Sequence, residues 1–248
     1  IQLTQKLKQH HDTPIMWGGT HPTVRPNECL EYADMVCISE SEQPLVELTR
    51  KMTKGENYFD IKGMGFKTNG KIINNGHGPL PGSKDSIFKH LDEIPHQDYD
   101  WNNHYILKGE DVLKMDMETL NDQNRVYMTL PTRGCPFACT FCVNSEFLKM
   151  YPHQKPIRMR TVDNIIEELK SVKDNMPFVK NILFNDDAFF LMPLETIKDF
   201  GKKYKKHIRM PLMITGATPS TLSKTKLSVL VDAGLIEMRM GIQTLAET

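Results

Sequence analysis

The sequence predicts an α/β protein in which short strands alternate with amphipathic helices around parallel sheets. Apolar runs of four to six residues recur along the chain, separated by stretches whose apolar residues lie three or four positions apart. This alternation is typical of βαβ units, whose strands run parallel and present ligands at their carboxyl ends. At 248 residues, 39% of them hydrophobic, the chain can bury the core of one large domain or two smaller ones.

Residues 1–75 alternate helix and strand signals and end in a hairpin. Pro26 suits the first turn of a helix, and Asn69-Gly70 between two apolar runs is a typical hairpin turn. The predicted elements are a helix over 1–11, a strand over 14–17, a helix over 26–33, a strand over 34–38 and a helix over 42–53. The apolar face of the last helix is predicted to comprise Leu45, Val46, Leu48 and Met52.

Residues 76–124 mix Gly, Pro, His and Asp with scattered apolar residues, which predicts a linker with little regular structure. The alternation resumes at Arg125 with longer helices. Thr161 or Asp163 can cap the first of these helices, and Gly234 ends the last one. The predicted elements are strands over 126–130, 180–184, 211–215 and 235–240, and helices over 162–175, 194–206 and 220–233.

Charge and cysteine usage narrow the functional classes. The chain carries 31 basic and 31 acidic residues, a balance that favours neither nucleic acid nor a membrane surface as a partner. No apolar run approaches the roughly 20 residues of a membrane helix, and no signal peptide opens the sequence. Five cysteines, three of them clustered, indicate a reducing, cytoplasmic location, with Cys29 and Cys37 as core residues. Because the chain starts at Ile1 without a methionine and stops just after a strand signal, we expect an internal fragment of a longer protein.

The most informative motif is a loop with three cysteines, Cys135, Cys139 and Cys142, shortly after the strand predicted at 126–130. Thiolates are soft ligands that suit iron–sulfur clusters, zinc or cuprous copper. A cluster that only transfers electrons normally has four protein ligands. No fourth cysteine follows here, and three ligands leave one iron open to a substrate or cofactor.

Two other interpretations of the cysteines stay open. Their spacing is also i, i+4, i+7, so on a helix they would form one buried stripe. Gly134 and Pro136 argue against a continuous helix at this point. A structural zinc site needs four ligands, and the nearest candidate, His153, does not lie at a standard spacing.

The cysteine spacing resembles the signature of the radical S-adenosylmethionine (SAM) superfamily, and the resemblance extends along residues 125–248. It implies a four-iron four-sulfur cluster on the three cysteines, SAM on the open iron, and reductive cleavage of SAM to a deoxyadenosyl radical. Asn181–Phe189 resembles the second barrel strand of the family, and Met240–Thr244 resembles its Gly-Ile-Glu or Gly-Ile-Gln stretch. The residues that the resemblance assigns to SAM are Phe141, Asp186, Asp187 and Gln243.

Each SAM assignment has a simpler alternative. The aspartate pair suits a turn or a helix cap, the glutamine can be an ordinary strand-end residue, and the phenylalanine can serve in packing. One stretch also departs from the family pattern. Where many relatives carry Arg and Asp, this chain has Thr218 and Ser220, which puts in doubt any cofactor contact made there.

Two stretches of the first 75 residues resemble the end of the cobalamin-binding domain that precedes many radical SAM cores. They are Trp17–Pro22, where relatives read Gly-Gly-x-His-Pro, and Asp34–Leu48, where relatives commonly have Gly-Glu-Gly-Glu. Ser39 and Ser41 replace those two later glycines, and serine tolerates a left-handed backbone less well. Leu91–Tyr99 also resembles the linker of these proteins. The residues that the resemblance assigns to cobalamin are Gly18, Gly19, Thr20, His21 and Glu40.

The resemblance implies three parts: the C-terminal part of a flavodoxin-like cobalamin-binding domain (1–75), a linker (76–124), and the N-terminal part of a radical SAM (β/α) barrel (125–248). The implied activity is methyl transfer from methylcobalamin to an unreactive carbon of a small-molecule substrate, with flavodoxin or ferredoxin as electron donor. The alternatives are a cobalamin-dependent cyclase or rearrangement enzyme, a radical SAM enzyme without cobalamin, and a non-catalytic zinc or iron–sulfur binding module. As cut, the fragment is expected to show weak or no turnover.

Overall fold

The computed structural model describes residues 1–98, 104–123 and 125–243. By contacts along the chain the protein divides into two compact units. The first comprises Ile1–Ile94 and Pro136–Pro156, and the second comprises Pro95–Cys135 and Ile157–Thr248. The division of the sequence into 1–75, 76–124 and 125–248 stays a prediction. Tyr99 of the predicted linker lies outside the described residues.

The first unit is built on a four-stranded mixed sheet of order β1-β2-β3-β4. The first two strands are parallel, and the last two form the predicted antiparallel hairpin, whose turn residues Asn69 and Gly70 have φ values of 49° and 74°. The strands are β1 (Met16–Trp17), β2 (Met35–Cys37), β3 (Met64–Thr68) and β4 (Lys71–Asn74). The helices are α1 (Gln2–His10), α2 (Thr20–Val24), α3 (Pro26–Cys29), α4 (Glu42–Lys54) and, beyond the linker, α6 (Asn144–Met150).

The helices of the first unit differ from the sequence prediction in several ways. The helix predicted over 26–33 ends at Cys29. Helix α2 was not predicted, because Gly18-Gly19 followed by Pro22 indicates a turn. The proline is nevertheless tolerated, since it lies in the first turn of the helix, where its missing N–H is not needed. On α4, Leu48 is buried as predicted. The prediction that Val46 and Met52 also face the core is wrong, because they are 52% and 46% exposed.

The second unit contains a four-stranded parallel sheet of order β12-β11-β10-β7. Each strand pairs with the next strand of this sheet along the chain, and a helix lies between each two of them, so the predicted parallel βα array is confirmed. The strands are β7 (Val126–Thr129), β10 (Asn181–Phe184), β11 (Leu212–Ala217) and β12 (Leu235–Met240). The helices are α7 (Val162–Asn175), α8 (Leu194–His207) and α9 (Lys224–Ala233). Their inner faces and the strands form one core that includes Phe184, Phe189, Phe200 and Tyr204.

Helix starts in the second unit follow local hydrogen bonding. Thr161 caps α7, as one of the two predicted candidates, because its hydroxyl accepts the N–H of Asn164. Helix α9 begins at Lys224, four residues later than predicted. Its cap is Ser223, since the preceding residues form a turn in which Thr218 N–H donates to the Thr221 hydroxyl.

Residues 104–123 contain more regular structure than predicted. Strands β5 (Tyr105–Lys108) and β6 (Asp111–Lys114) form an antiparallel hairpin, and α5 (Met117–Gln123) follows it. Gly109 has a φ of 65°, so the hairpin turn uses a backbone conformation that favours glycine. The expectation of little regular structure is therefore wrong for this stretch. Within the described part of the chain, no helix is both long enough and apolar enough to cross a membrane.

Candidate functional site

The carboxyl ends of the four parallel strands lie at one edge of the sheet, and most of the predicted SAM residues follow them. Asp186 and Asp187 lie directly after β10, and Gln243 lies just beyond β12. Cys135 follows β7 through a short strand, β8 (Thr132–Arg133). In parallel α/β folds this edge is where ligands bind, so the second unit carries these residues where such a site would form.

Asp186 is buried and fully engaged within the second unit. Its side chain is 1% exposed, and one carboxylate oxygen accepts the backbone N–H of Thr132 at 2.7 Å. The other oxygen accepts the Thr132 hydroxyl at 2.6 Å and the N–H of Ala188 at 2.8 Å. Burial raises the pKa of Asp186, although these hydrogen bonds oppose the rise. The contacts favour the alternative of a turn-forming aspartate over a direct SAM contact.

The backbone at Asp186 is held closely by the neighbouring strand β11. The Thr215 hydroxyl donates to the Asp186 carbonyl at 3.0 Å. Gly216 has a φ of +75°, and a Cβ at this position would collide with the Asp186 carbonyl oxygen. Only glycine therefore allows β11 to approach the aspartate pair this closely.

The remaining SAM candidates present exposed side chains. Asp187 and Gln243 are exposed, and Phe141 is 68% exposed. The N–H of Gly241 donates to the Ala217 carbonyl at 2.9 Å, which continues the pairing of β12 with β11 up to the residue before the Ile-Gln pair. Thr244, the last residue of the motif that resembles the family's Gly-Ile-Glu stretch, lies outside the described residues.

The three cysteines lie on a segment that is irregular until α6. Cys135 is half-buried and belongs to the second unit, whereas exposed Cys139 and half-buried Cys142 belong to the first. Cys142 N–H donates to the Cys139 carbonyl at 3.0 Å, and Gly134 has a φ of 85°. Within residues 1–98, 104–123 and 125–243, no group of three or more His, Cys, Asp and Glu side chains is placed to hold a metal ion. By residue type, the three thiols on this segment are nevertheless ligands that suit an iron–sulfur cluster.

The other two cysteines belong to the core of the first unit. Cys29 and Cys37 are both buried. Burial raises the pKa of Cys37 to about 11, and burial together with the neighbouring Glu28 carboxylate raises the pKa of Cys29. Because the thiolate is the metal ligand and the nucleophile, both thiols are poor ligands at neutral pH. The prediction that they are core residues is confirmed.

Sequence reasoning missed a buried ion pair beneath the end of β7. Arg160 Nη1 lies 2.7 Å from Glu168 Oε2, and the two side chains are 11% and 3% exposed. The same carboxylate accepts the Tyr127 hydroxyl at 2.7 Å and the Thr129 hydroxyl at 3.0 Å. Arg160 Nε also donates to Asn164 Oδ1 at 2.6 Å. The signal in the sequence is a glutamate three residues after Ile165, on the apolar face of α7.

The predicted cobalamin residues follow the parallel strands β1 and β2, on two loops and in the first turn of α2. Gly19 has a φ of +98° and precedes α2, and among the described residues, apart from Gly19 itself and its two chain neighbours, no heavy atom lies within 4 Å of the position a Cβ would take. Thr20 and His21 are exposed in the first turn of α2, Gly18 is exposed before it, and Glu40 is half-buried. His21 lies 3.6 Å from the Glu28 carboxylate.

Thr23, which sequence reasoning did not select, joins these two loops. Its buried hydroxyl donates to the Gly19 carbonyl at 2.7 Å and accepts the N–H of Ser39 at 2.9 Å. Ser39 has a φ of 72°, in the left-handed region that favours glycine. Ser41 has a φ of −105° and needs no glycine. Of the two serines that replace the glycines of relatives, only Ser39 therefore occupies a backbone conformation that favours glycine.

Known proteins resemble this chain in sequence. Residues 129–248 match the family model of the radical SAM superfamily. The chain is 34% identical over 182 residues to an uncharacterized methyltransferase of Pyrococcus horikoshii, a match that covers 71% of this chain and 34% of the relative. It is 26% identical over 162 residues to the anaerobic magnesium-protoporphyrin IX monomethyl ester cyclase of Cereibacter sphaeroides, covering 62% of this chain and 22% of the relative. The chain thus spans about a third of the length of the first relative and about a fifth of the second.

Solved structures share the fold along nearly the whole chain. The radical SAM methyltransferase TsrM of Kitasatospora setae matches 99% of this chain and 44% of its own, with a TM-score of 0.69 at 16% identity. The cobalamin-dependent SAM radical enzyme OxsB matches 98% of this chain and 33% of its own, with a TM-score of 0.64 at 14% identity. The predicted α/β fold class is confirmed by this likeness. Residues 129–248 of this chain are therefore a radical SAM domain, and the chain has the fold of cobalamin-dependent radical SAM enzymes.

Proposed function

We propose that this chain is part of a cobalamin-dependent radical SAM enzyme that transfers a methyl group to an unreactive carbon of a small molecule. The observation that carries the proposal is the spacing of Cys135, Cys139 and Cys142 shortly after the first strand of the parallel sheet. Three soft ligands leave one iron of a four-iron cluster open, and the edge of the sheet where they begin is the edge at which parallel α/β folds bind ligands. A methyltransferase relative supports the reaction class.

The chain's own residues would bind the cluster and SAM. The three cysteines hold the cluster, which when bound supplies the electron that cleaves SAM. Asp187 and Gln243 offer a carboxylate and an amide to the charged and polar parts of SAM. Phe141 is an exposed aromatic residue at the position whose backbone would lie near the adenine. An electron carrier such as flavodoxin or ferredoxin would deliver the electron.

Cobalamin binding is the second half of the proposal. Gly18 and Gly19 allow close approach of a bulky ligand, and the open space beside Gly19 fits this role. Thr20 and His21, in the first turn of α2, and Glu40, on the loop after β2, add polar groups. Structures of TsrM with cobalamin and a [4Fe-4S] cluster, and of OxsB with aqua-cobalamin and SAM, support the assignment.

Anaerobic reconstitution tests the proposal. We expect about four iron atoms per chain, a cobalamin absorption spectrum, and SAM cleavage when the protein is reduced. Cys139→Ser should abolish iron binding, whereas the matched control Cys29→Ala should retain it, because Cys29 is a core residue. Stoichiometric zinc without iron would instead identify a metal-binding module, and iron with SAM cleavage but no cobalamin would identify an enzyme without that cofactor.

The product of the reaction separates methyl transfer from its main competitor. The cyclase relative favours ring formation as the second candidate. A product in which a methyl group replaces one hydrogen of the substrate, a net gain of CH₂, supports methyl transfer, whereas a product that gains a ring without a methyl group contradicts it.

A further inference from the structure

The segment that carries the cysteines leaves and rejoins the second unit through two short paired strands. Strand β8 (Thr132–Arg133) pairs antiparallel with β9 (Arg158–Met159), with Thr132 opposite Met159 and Arg133 opposite Arg158. Cys135 lies two residues after β8. The position of β8 therefore determines where Cys135 lies relative to the end of the parallel sheet.

Asp186 fixes β8 to the end of β10. Its carboxylate accepts both the backbone N–H and the hydroxyl of Thr132, at 2.7 and 2.6 Å, so two donors of one residue converge on one buried acid. The acid is itself fixed, since it accepts the Ala188 N–H at 2.8 Å and its carbonyl accepts the Thr215 hydroxyl at 3.0 Å. Gly216 removes the side chain that would otherwise push this turn away.

The returning strand is held by the second buried acid. Arg160, directly after β9, donates its backbone N–H to the Pro131 carbonyl at 3.0 Å. Its guanidinium bonds Glu168 at 2.7 Å and, at Nη1, the Thr129 hydroxyl at 3.2 Å. The two ends of the cysteine segment are thus each tied to the sheet through an acid that is almost completely buried.

Burying a carboxylate costs desolvation free energy, and well-packed apolar side chains of similar size often stabilise a fold as well or better. A buried polar contact does, however, specify one geometry where apolar packing allows several. Here the Asp186 carboxylate accepts hydrogen bonds from Thr132, three positions before Cys135, and from Ala188 in its own turn.

We propose that Asp186, through Thr132, is a positioning residue that holds Cys135 at the edge of the sheet for metal binding. The inference rests on the proposed function for the identity of the metal. The statement that Asp186 fixes the position of Cys135 does not depend on a metal. It also gives the first aspartate of the pair a role different from SAM binding, and leaves Asp187 as the acid that faces solvent.

Matched variants of Thr132 test the contact without removing the acid. Thr132→Val keeps the volume and loses the hydroxyl, whereas Thr132→Ser keeps the hydroxyl. Asp186→Asn keeps the size of the acid and places an amide NH₂ among three donors. Amide hydrogen exchange of Arg133–Cys135 is measured in the metal-free protein, and iron per chain is measured after anaerobic reconstitution, with thermal unfolding as the reference for overall stability.

We expect exchange at Arg133–Cys135 to rise at least tenfold and iron uptake to fall at least threefold in Thr132→Val and Asp186→Asn. Thr132→Ser should stay near the wild-type protein in both. If Asp186→Asn does not fold, the valine and serine pair decides. Variants that melt at a lower temperature but keep wild-type exchange at Arg133–Cys135 and wild-type iron would overturn the inference. If the wild-type protein binds no iron, the proposed function fails, while the exchange measurement still decides whether Asp186 fixes the segment.

Discussion

Replacing Glu168 with glutamine removes the negative charge of the buried pair and keeps the shape of the side chain. Arg160, 11% exposed, then retains its charge without its main partner. If the amide nitrogen takes the place of Oε1, it also replaces the oxygen that accepts the hydroxyls of Tyr127 and Thr129. Breaking a buried pair in this way costs about 3–5 kcal/mol. Because Arg160 keeps some contact with solvent, we expect the lower end, about 3 kcal/mol.

This loss corresponds to a melting temperature about 6–12 °C lower, since about 1 kcal/mol shifts the midpoint by about 2–4 °C at this chain length. The measurement is thermal unfolding followed by circular dichroism at low and at 0.5 M salt. Glu167→Gln is the matched control: it removes the same charge from the adjacent, exposed position and should shift the midpoint by less than about 2 °C. A melting temperature for Glu168→Gln equal to that of the control would refute the reasoning that this pair anchors the second unit.

Two further predictions concern the first unit. Ser39→Gly relieves a left-handed backbone that costs about 1–2 kcal/mol against about 0.5–1 kcal/mol of extra chain entropy for glycine, so urea denaturation should show a net gain of about 0.5–1 kcal/mol. Ser41→Gly, at a φ of −105°, should lose stability instead, and equal losses in both variants would contradict this account. With iodoacetamide at pH 8, peptide mass spectrometry should find Cys139 modified first and Cys37 unmodified until the protein unfolds, because burial raises the pKa of Cys37 to about 11. Equal rates at the two cysteines would show that the core of this unit opens readily.

The limits of α7 were predictable because its sequence carries both a cap and a continuous apolar stripe. Thr161 accepts the third N–H of the helix, and Ile165, Ile166, Leu169 and Val172 repeat at helical spacing and are buried. The start of α9 was not predictable in the same way. The hydroxyl groups of Thr218 and Thr221 bond to each other and to nearby backbone, and such local bonds compete with a helix without changing the apolar pattern.

Only the features of the site that depend on residue type and order could be predicted from the sequence. The cysteine spacing and the aspartates after β10 are such features. The engagement of Asp186 by Thr132, 54 residues earlier, depends on two strands becoming neighbours. The pairing of Glu168 with Tyr127 and Thr129 depends on the same folding step. Sequence spacing predicts neither the contact of Asp186 nor that of Glu168. The only indication is the position of Glu168 within the apolar stripe of α7.

The pairing of β7 with β10 has a consequence for synthesis on the ribosome. Thr129 finds its partner Phe184 only about 55 residues later, which takes roughly 3–10 s at elongation rates of roughly 5–20 residues per second. During that interval β7 has no partner strand in the nascent chain, and its buried residue Tyr127 has no sheet to pack into. Protection by chaperones therefore matters most for this part of the protein before β10 has been made.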